Sequence, residues 1–118
     1  MAAEFDLVTI DTSDTDALAR FWAAALGLHE VEREDGDRWV VLADSAGVRR
    51  LGFQKGGHVA GGTHLDLRCD PSEFHDEMDR LVAIGAVLAD TARVEPYGMI
   101  VNFTDPDGNP FDLCAYHR

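Results

Sequence analysis

The sequence predicts an α+β fold in which one order of elements, βαβββ, is used twice. Three observations predict it. Short runs alternate apolar and polar side chains, the period of a half-buried strand. Each half of the chain carries one apolar stripe at helical spacing, opened by an aspartate and closed by a glycine. The turn Asp44-Ser45-Ala46-Gly47 recurs at the same spacing as Asp105 to Gly108, which marks an internal repeat.

The elements follow in order. Phe5–Asp11 alternates, with Leu7, Thr9 and Asp11 on one parity and Val8 and Ile10 on the other, and is predicted as a strand. Ser13-Asp14-Thr15-Asp16 is a helix cap with an acidic first turn. Leu18, Phe21, Trp22, Ala25 and Leu26 form the helix's apolar face, and Gly27 supplies the left-handed stop. Strands are predicted at Leu28–Glu34, Arg38–Ala43 and Arg49–Gln54, with Asp35-Gly36 and Asp44 to Gly47 as turns. The glycine pairs Gly56-Gly57 and Gly61-Gly62 flank the connection to the second half.

There, Thr63–Cys69 alternates as a strand, and Asp70-Pro71 caps a helix with proline at its first position. Phe74, Met78, Leu81 and Val82 form its core face, and Gly85 stops it. Ala86–Arg93, Met99–Thr104 and Pro110–Tyr116 complete the repeat, with turns at Pro96-Tyr97-Gly98 and Asp105-Pro106-Asp107-Gly108-Asn109. The latter lacks the downstream glutamate of a calcium loop and reads as a turn.

Composition bounds the function. The chain has 118 residues, the size of one small domain, and a formal net charge of −12. Ten basic residues lack the clustering that nucleic acid or an anionic membrane demands, and an acidic surface attracts a cationic ligand if it attracts any. No apolar run approaches a membrane span, and the start, Met1-Ala-Ala-Glu-Phe-Asp, has neither the basic nor the apolar region of a leader. Two cysteines, Cys69 and Cys114, fall in predicted strands and read as free thiols packed as small apolar groups in a reducing cytoplasm. Phosphate-loop, Ser-His-Asp and paired-cysteine metal grammars are absent from the sequence.

The ordered set of motifs resembles a known superfamily. It comprises Asp14 with Ala19-Arg20-Phe21-Trp22-Ala23-Ala24-Ala25-Leu26-Gly27, then Trp39-Val40-Val41-Leu42 and Leu51-Gly52-Phe53-Gln54. His64-Leu65-Asp66-Leu67 and Asp105-Pro106-Asp107-Gly108-Asn109-Pro110-Phe111 follow in the second half. Together they resemble the vicinal oxygen chelate superfamily of glyoxalase, bleomycin-resistance and dioxygenase proteins, and within it the small glyoxalase-like domain proteins. The resemblance implies a single domain of two modules, about 4–56 and 62–117. Their mixed sheets curl into half-barrels around a cavity, and the chains usually pair as homodimers. Leu7, Thr9, Asp11, His64, Asp66, Arg68, Asp112 and Cys114 would then face the cavity, while Val8, Ile10, Leu65, Leu67, Phe111 and Leu113 pack on helices.

Metal enzymes of the superfamily place ligands on the first and last strands of each module. Carried onto this chain, the positions are Leu7, which cannot ligate, then Gly52 or Gln54, then His64 and Asp112, where aspartate replaces the usual glutamate. The metal set implied is His64, Gln54 and Asp112, with nickel, zinc, cobalt, manganese or iron as the ion. The resemblance leaves three roles open for His64: metal ligand, acid–base or hydrogen-bond partner of a bound molecule, or wall histidine. Asp66 and Arg68 either pair with each other or Arg68 holds a substrate carboxylate. Asp112 serves as ligand, base or partner of His64 or Arg68. Tyr97 lies in a loop that overhangs the cavity in such proteins, and Thr9 and Gln54 line it.

The functions implied are a glyoxalase-like protein that binds a small organic molecule, with lyase or dioxygenase chemistry, a metal-free resistance-type binding protein, or an accessory module with a vestigial cavity.

Overall fold

The computed structural model describes residues 5–117. The residues read above for a leader, 1–4, and with them the expected start of the first module at residue 4, lie outside the described residues. The described residues divide into two compact units, one up to Val59 and the other from Ala60.

The first unit contains β1 (Val8–Thr12), α1 (Thr15–Leu26), β2 (His29–Glu34), β3 (Trp39–Ala43) and β4 (Arg49–Lys55). Its sheet runs β1-β4-β3-β2, with β1 parallel to β4 and the other pairs antiparallel. The second contains β5 (Leu65–Arg68), a 3-10 turn (Pro71–Glu73), α2 (Phe74–Ala83), β6 (Val87–Leu88), β7 (Arg93–Glu95), β8 (Gly98–Thr104) and β9 (Pro110–Tyr116). Its sheet runs β5-β9-β8-β6, with β7 also paired to β8, and β5 is parallel to β9. The two units thus repeat one topology, α+β with mixed open sheets, as the sequence predicts.

Local chemistry explains the helix ends. Asp14 Oδ1 accepts the Ala17 N–H at 3.1 Å, and Gly27 adopts φ 67° as the left-handed cap of α1. Asp70 and Pro71 cap the 3-10 turn that leads into α2, and Asp70 Oδ1 accepts the Ser72 N–H at 3.0 Å. Leu18, Phe21, Trp22 and Ala25 are buried, and so are Phe74 and Leu81 of α2. Three expected core positions fall short of the core: Leu26 and Val82 are exposed, and Met78 is only half-buried. In α1 the face shifts to include Ala19, which leaves Leu26 at its margin in the last turn.

The strand expected at Ala86–Arg93 is divided. Leu88 faces Phe103, but the next pair, Arg93 with Ile100, passes over four residues on one strand against two on the other. The excess loops out as a bulge. Asp90 makes this tolerable by accepting the Asn102 N–H at 3.1 Å, while Ala89 N–H donates to Asn102 O at 2.9 Å. The predicted strand Phe5–Asp11 starts later and ends one residue later, at Val8–Thr12, and Thr63–Cys69 is trimmed to Leu65–Arg68.

Both Asp-x-x-Gly turns are built alike. Asp44 Oδ1 accepts from Ala46 and Val48 N–H, and Asp105 Oδ1 from Asp107 and Asn109 N–H. Each carboxylate satisfies donors that the tight turn leaves without strand partners.

Candidate functional site

The second unit gathers the chemistry-bearing side chains. His64 precedes β5, and Asp66 and Arg68 follow on its face at two-residue steps. The parallel register sets Asp66 beside Asp112 of β9, and the antiparallel register sets Asp112 beside Asn102 of β8. A polar row therefore crosses three strands, with His64 at its margin.

His64 Nε2 lies 3.0 Å from Asp66 Oδ1 and 3.8 Å from Asp112 Oδ2. Asn102 Nδ2 donates to the other Asp112 oxygen, which fixes that carboxylate's rotation and leaves Oδ2 toward His64. Asp112 is the most sheltered of the three, its side chain 21% exposed against 52% for His64 and 67% for Asp66.

One donor atom from each of His64, Asp66 and Asp112 falls within 4.8 Å of the others. An imidazole nitrogen and two carboxylate oxygens suit a borderline divalent ion, and three protein donors leave a position open for another ligand. The donor set fits a divalent metal held by this unit alone.

That trio differs from the expected His64, Gln54 and Asp112. Asp66 joins two of the expected ligands, and Gln54, exposed at the end of β4, belongs to the first unit. Register explains the difference. Thr9 pairs with Gly52, and Gly52 with Val41, just as Asp66 pairs with Asp112, and Asp112 with Asn102. A bulge between Leu42 and Ala43 moves the first module's register, so the counterpart of Asp112 is Gly52 and that of Gln54 is Cys114. Thr9 is exposed on β1 in the first unit as well.

The pairing of Asp66 with Arg68 does not form. Asp66 is turned to His64, and Arg68 is exposed and makes no ion pair among the described residues. Tyr97 sits at the β7–β8 turn, 44% exposed, with its ring centroid 6.0 Å from that of Tyr116. Burial, followed by the nearby Glu95 charge, pushes its phenol up from the ordinary range. Both cysteines are free, and burial pushes both thiols up, so neither is an activated nucleophile.

Sequence reasoning missed Asn102. Counting back from the Asp105–Asn109 turn pairs Thr104 with Pro110 and so Asn102 with Asp112, which was the available signal.

In the first unit the central position of the equivalent row is covered. The Trp39 indole lies over Gly52, where a Cβ would come within 2.4 Å of the ring. Trp39 Nε1–H donates to Glu32 Oε2 at 2.7 Å, and Arg49 holds the other Glu32 oxygen at 2.8 Å.

The glyoxalase-like domain family model matches residues 7–114. The chain belongs to this family. Its fold is that of solved glyoxalase/bleomycin resistance/dioxygenase proteins. It is similar to a glyoxalase/bleomycin resistance protein/dioxygenase family enzyme from Burkholderia phytofirmans PsJN, with 20% identity, TM-score 0.81, and 98% of this chain and 100% of that chain covered. A glyoxalase-related enzyme from Fulvimarina pelagi is similar at 23% identity and TM-score 0.74, over 95% of this chain and 87% of that one. A mutant of the fosfomycin resistance protein FosX from Listeria monocytogenes, complexed with Mn(II) and 1S,2S-dihydroxypropylphosphonic acid, is similar at 16% identity and TM-score 0.77, over 99% and 93%. Among curated proteins no match to the chain is found. Among the described residues of this glyoxalase-like protein, no helix is long and apolar enough to cross a membrane.

Proposed function

We propose that this glyoxalase-like protein binds a small organic molecule on the polar face of its second sheet, with lyase-type proton transfer by His64. The observation that carries this reading is the geometry of His64 Nε2, 3.0 Å from Asp66 and facing an Asp112 that Asn102 holds in place. A carboxylate that orients an imidazole fixes its tautomer and leaves one ring nitrogen for a proton of the ligand. In this reading the modules, about 4–56 and 62–117, act as one domain in a cytoplasmic homodimer.

A second reading is supported by the donor atoms grouped within 4.8 Å and by the Mn(II) in the FosX structure. His64, Asp66 and Asp112 would hold a divalent ion, which polarises a ligand oxygen when bound. The two readings exclude each other at one atom, because Nε2 cannot both carry the proton it donates to Asp66 and bind a metal.

A thermal-shift series on EDTA-stripped protein with nickel, cobalt, zinc, manganese and iron(II), repeated on His64→Ala, separates them. A ligand at about 100 times its dissociation constant stabilises the fold by about 2.7 kcal/mol, several degrees for a chain of this size. A metal-specific rise in wild type that His64→Ala abolishes establishes the second reading. No rise with any metal leaves the acid–base reading, which then requires that a small-molecule panel shift wild type and not His64→Ala. If neither metals nor small molecules shift the protein, the binding function is wrong and the fold serves as an accessory module.

A further inference from the structure

The chain's net charge is −12, yet one cation on the candidate face is left uncompensated. Arg33, Arg38, Arg49, Arg50, Arg80, Arg93 and Lys55 each pair with a carboxylate. Among the described basic residues, Arg20 and Arg68 make no ion pair. Arg20 lines a surface groove of α1 whose lining also includes Asp16 and Glu30, so its surroundings are balanced. Arg68 stands next to the Asp66–Asp112 row, but both carboxylates face His64 and neither forms an ion pair with Arg68. The nearest acid on its own strand face, Asp66, is turned to His64.

The order of groups along this face is defined by the register. Asp66 and Asp112 form one row, Arg68 and Cys114 the next, and Tyr116 lies one further step along β9. The Tyr116 ring packs beside that of Tyr97, centroids 6.0 Å apart. Same-face neighbours on a strand are about 6.6 Å apart. A guanidinium therefore stands one step from the His64–Asp66 pair and one step from an exposed aromatic pair.

We propose that Arg68 anchors the anionic group of an organic acid, a carboxylate or a phosphonate, and so sets the ligand class of this site. The inference rests on the reading that this face binds a small molecule. The planar guanidinium offers two parallel N–H donors that match either anion. The apolar part of the ligand packs on Tyr97 and Tyr116, and the carbon beside the anion turns toward His64. The overall negative charge does not oppose this, because at physiological salt charges beyond about 8 Å are screened and the nearby groups decide.

The test uses four probes that share one ring and differ in head group: benzoate, phenylphosphonate, benzyl alcohol and benzylamine. Binding to the full chain is read by nitrogen-15 NMR titration, including the Arg68 Nε–H signal. Wild type should bind benzoate or phenylphosphonate more tightly than the alcohol or the amine, with the Arg68 signal shifting. Arg68→Ala should weaken the anions at least tenfold and leave benzyl alcohol unchanged, and Arg68→Lys should recover part of the loss. The stronger of the two anions identifies the head group. If benzylamine or benzyl alcohol binds best and His64→Ala abolishes it, Arg68 is not the anchor although the small-molecule reading survives. Anion binding that Arg68→Ala leaves intact overturns the proposal in the same way. If none of the four probes binds, the proposal fails, and the metal and small-molecule panels above decide whether the underlying reading fails with it.

Discussion

The two modules share a topology and differ in what fills its central row. In the first the row reads Thr9–Gly52–Val41, and the Trp39 indole lies over the glycine. In the second it reads Asp66–Asp112–Asn102, with His64 at the margin. In one row an aromatic side chain covers the central position, and the other presents an imidazole and two carboxylates. A βαβββ frame thus fixes where a row sits without fixing its chemistry, and the chemistry must be read residue by residue. The glycine in the first row and the indole over it are complementary. Either alone would leave a void or a clash.

The sharpest way to break this contrast is to write the second module's row into the first. Gly52→Asp places a Cβ 2.4 Å from the Trp39 ring and adds a carboxylate beneath it. We expect a loss of about 1–3 kcal/mol from overpacking, read by urea denaturation, together with displacement of the indole from Glu32. Trp39→Ala should remove most of the penalty of Gly52→Asp, because it removes the atoms that clash. Additive losses in the double mutant would show that the indole does not cover this position.

The reverse exchange is Asn102→Val, which gives the second row the residue of the first. Asp112 then loses its amide donor while staying largely sheltered. A loss of about 1 kcal/mol is expected, together with a weaker metal or ligand response in the thermal-shift series. Asn102→Gln tests the amide itself, and a response equal to wild type in Asn102→Val would remove Asn102 from the site.

The smallest effect is a pH dependence confined to the first module. The Trp39 indole N–H, then Arg49, holds the Glu32 carboxyl below the ordinary glutamate range. A lowered carboxyl contributes stability above its unfolded value, about 4.3, and loses it as pH falls through the lowered one. Fluorescence of Trp39 should therefore change on acidification below the ordinary range, and Glu32→Gln should abolish that change. Trp22, buried and 1% exposed, should not respond.

How far these features were legible follows from how local they are. Asp14, Gly27, Asp70 and both Asp-x-x-Gly turns act within a few residues, so sequence spacing finds them. Alternation correctly put Asp66, Arg68 and Asp112 on one face with His64, because a two-residue period survives trimmed strand ends. The division of the Ala86–Arg93 run was not legible. Asp90 looks like any polar residue until its carboxylate is seen on the Asn102 amide. The choice between Gly52 and Gln54 turned on a bulge at Leu42/Ala43, which has no local sequence mark. Asp66 as the third member of the cluster required the cross-strand register. The Trp39–Gly52 contact likewise joins residues that no periodicity links.

Strand β2 carries one more consequence. It lies at the border of its sheet and reads His-Glu-Val-Glu-Arg-Glu, with Arg33 tied to Glu30 and to Asp16 of α1. A foreign strand that paired along this border would have to strip water from those charges and disturb their mutual bonds. Charged borders of this kind discourage runaway cross-β growth. The first module therefore combines an indole-covered row with a border that resists aggregation.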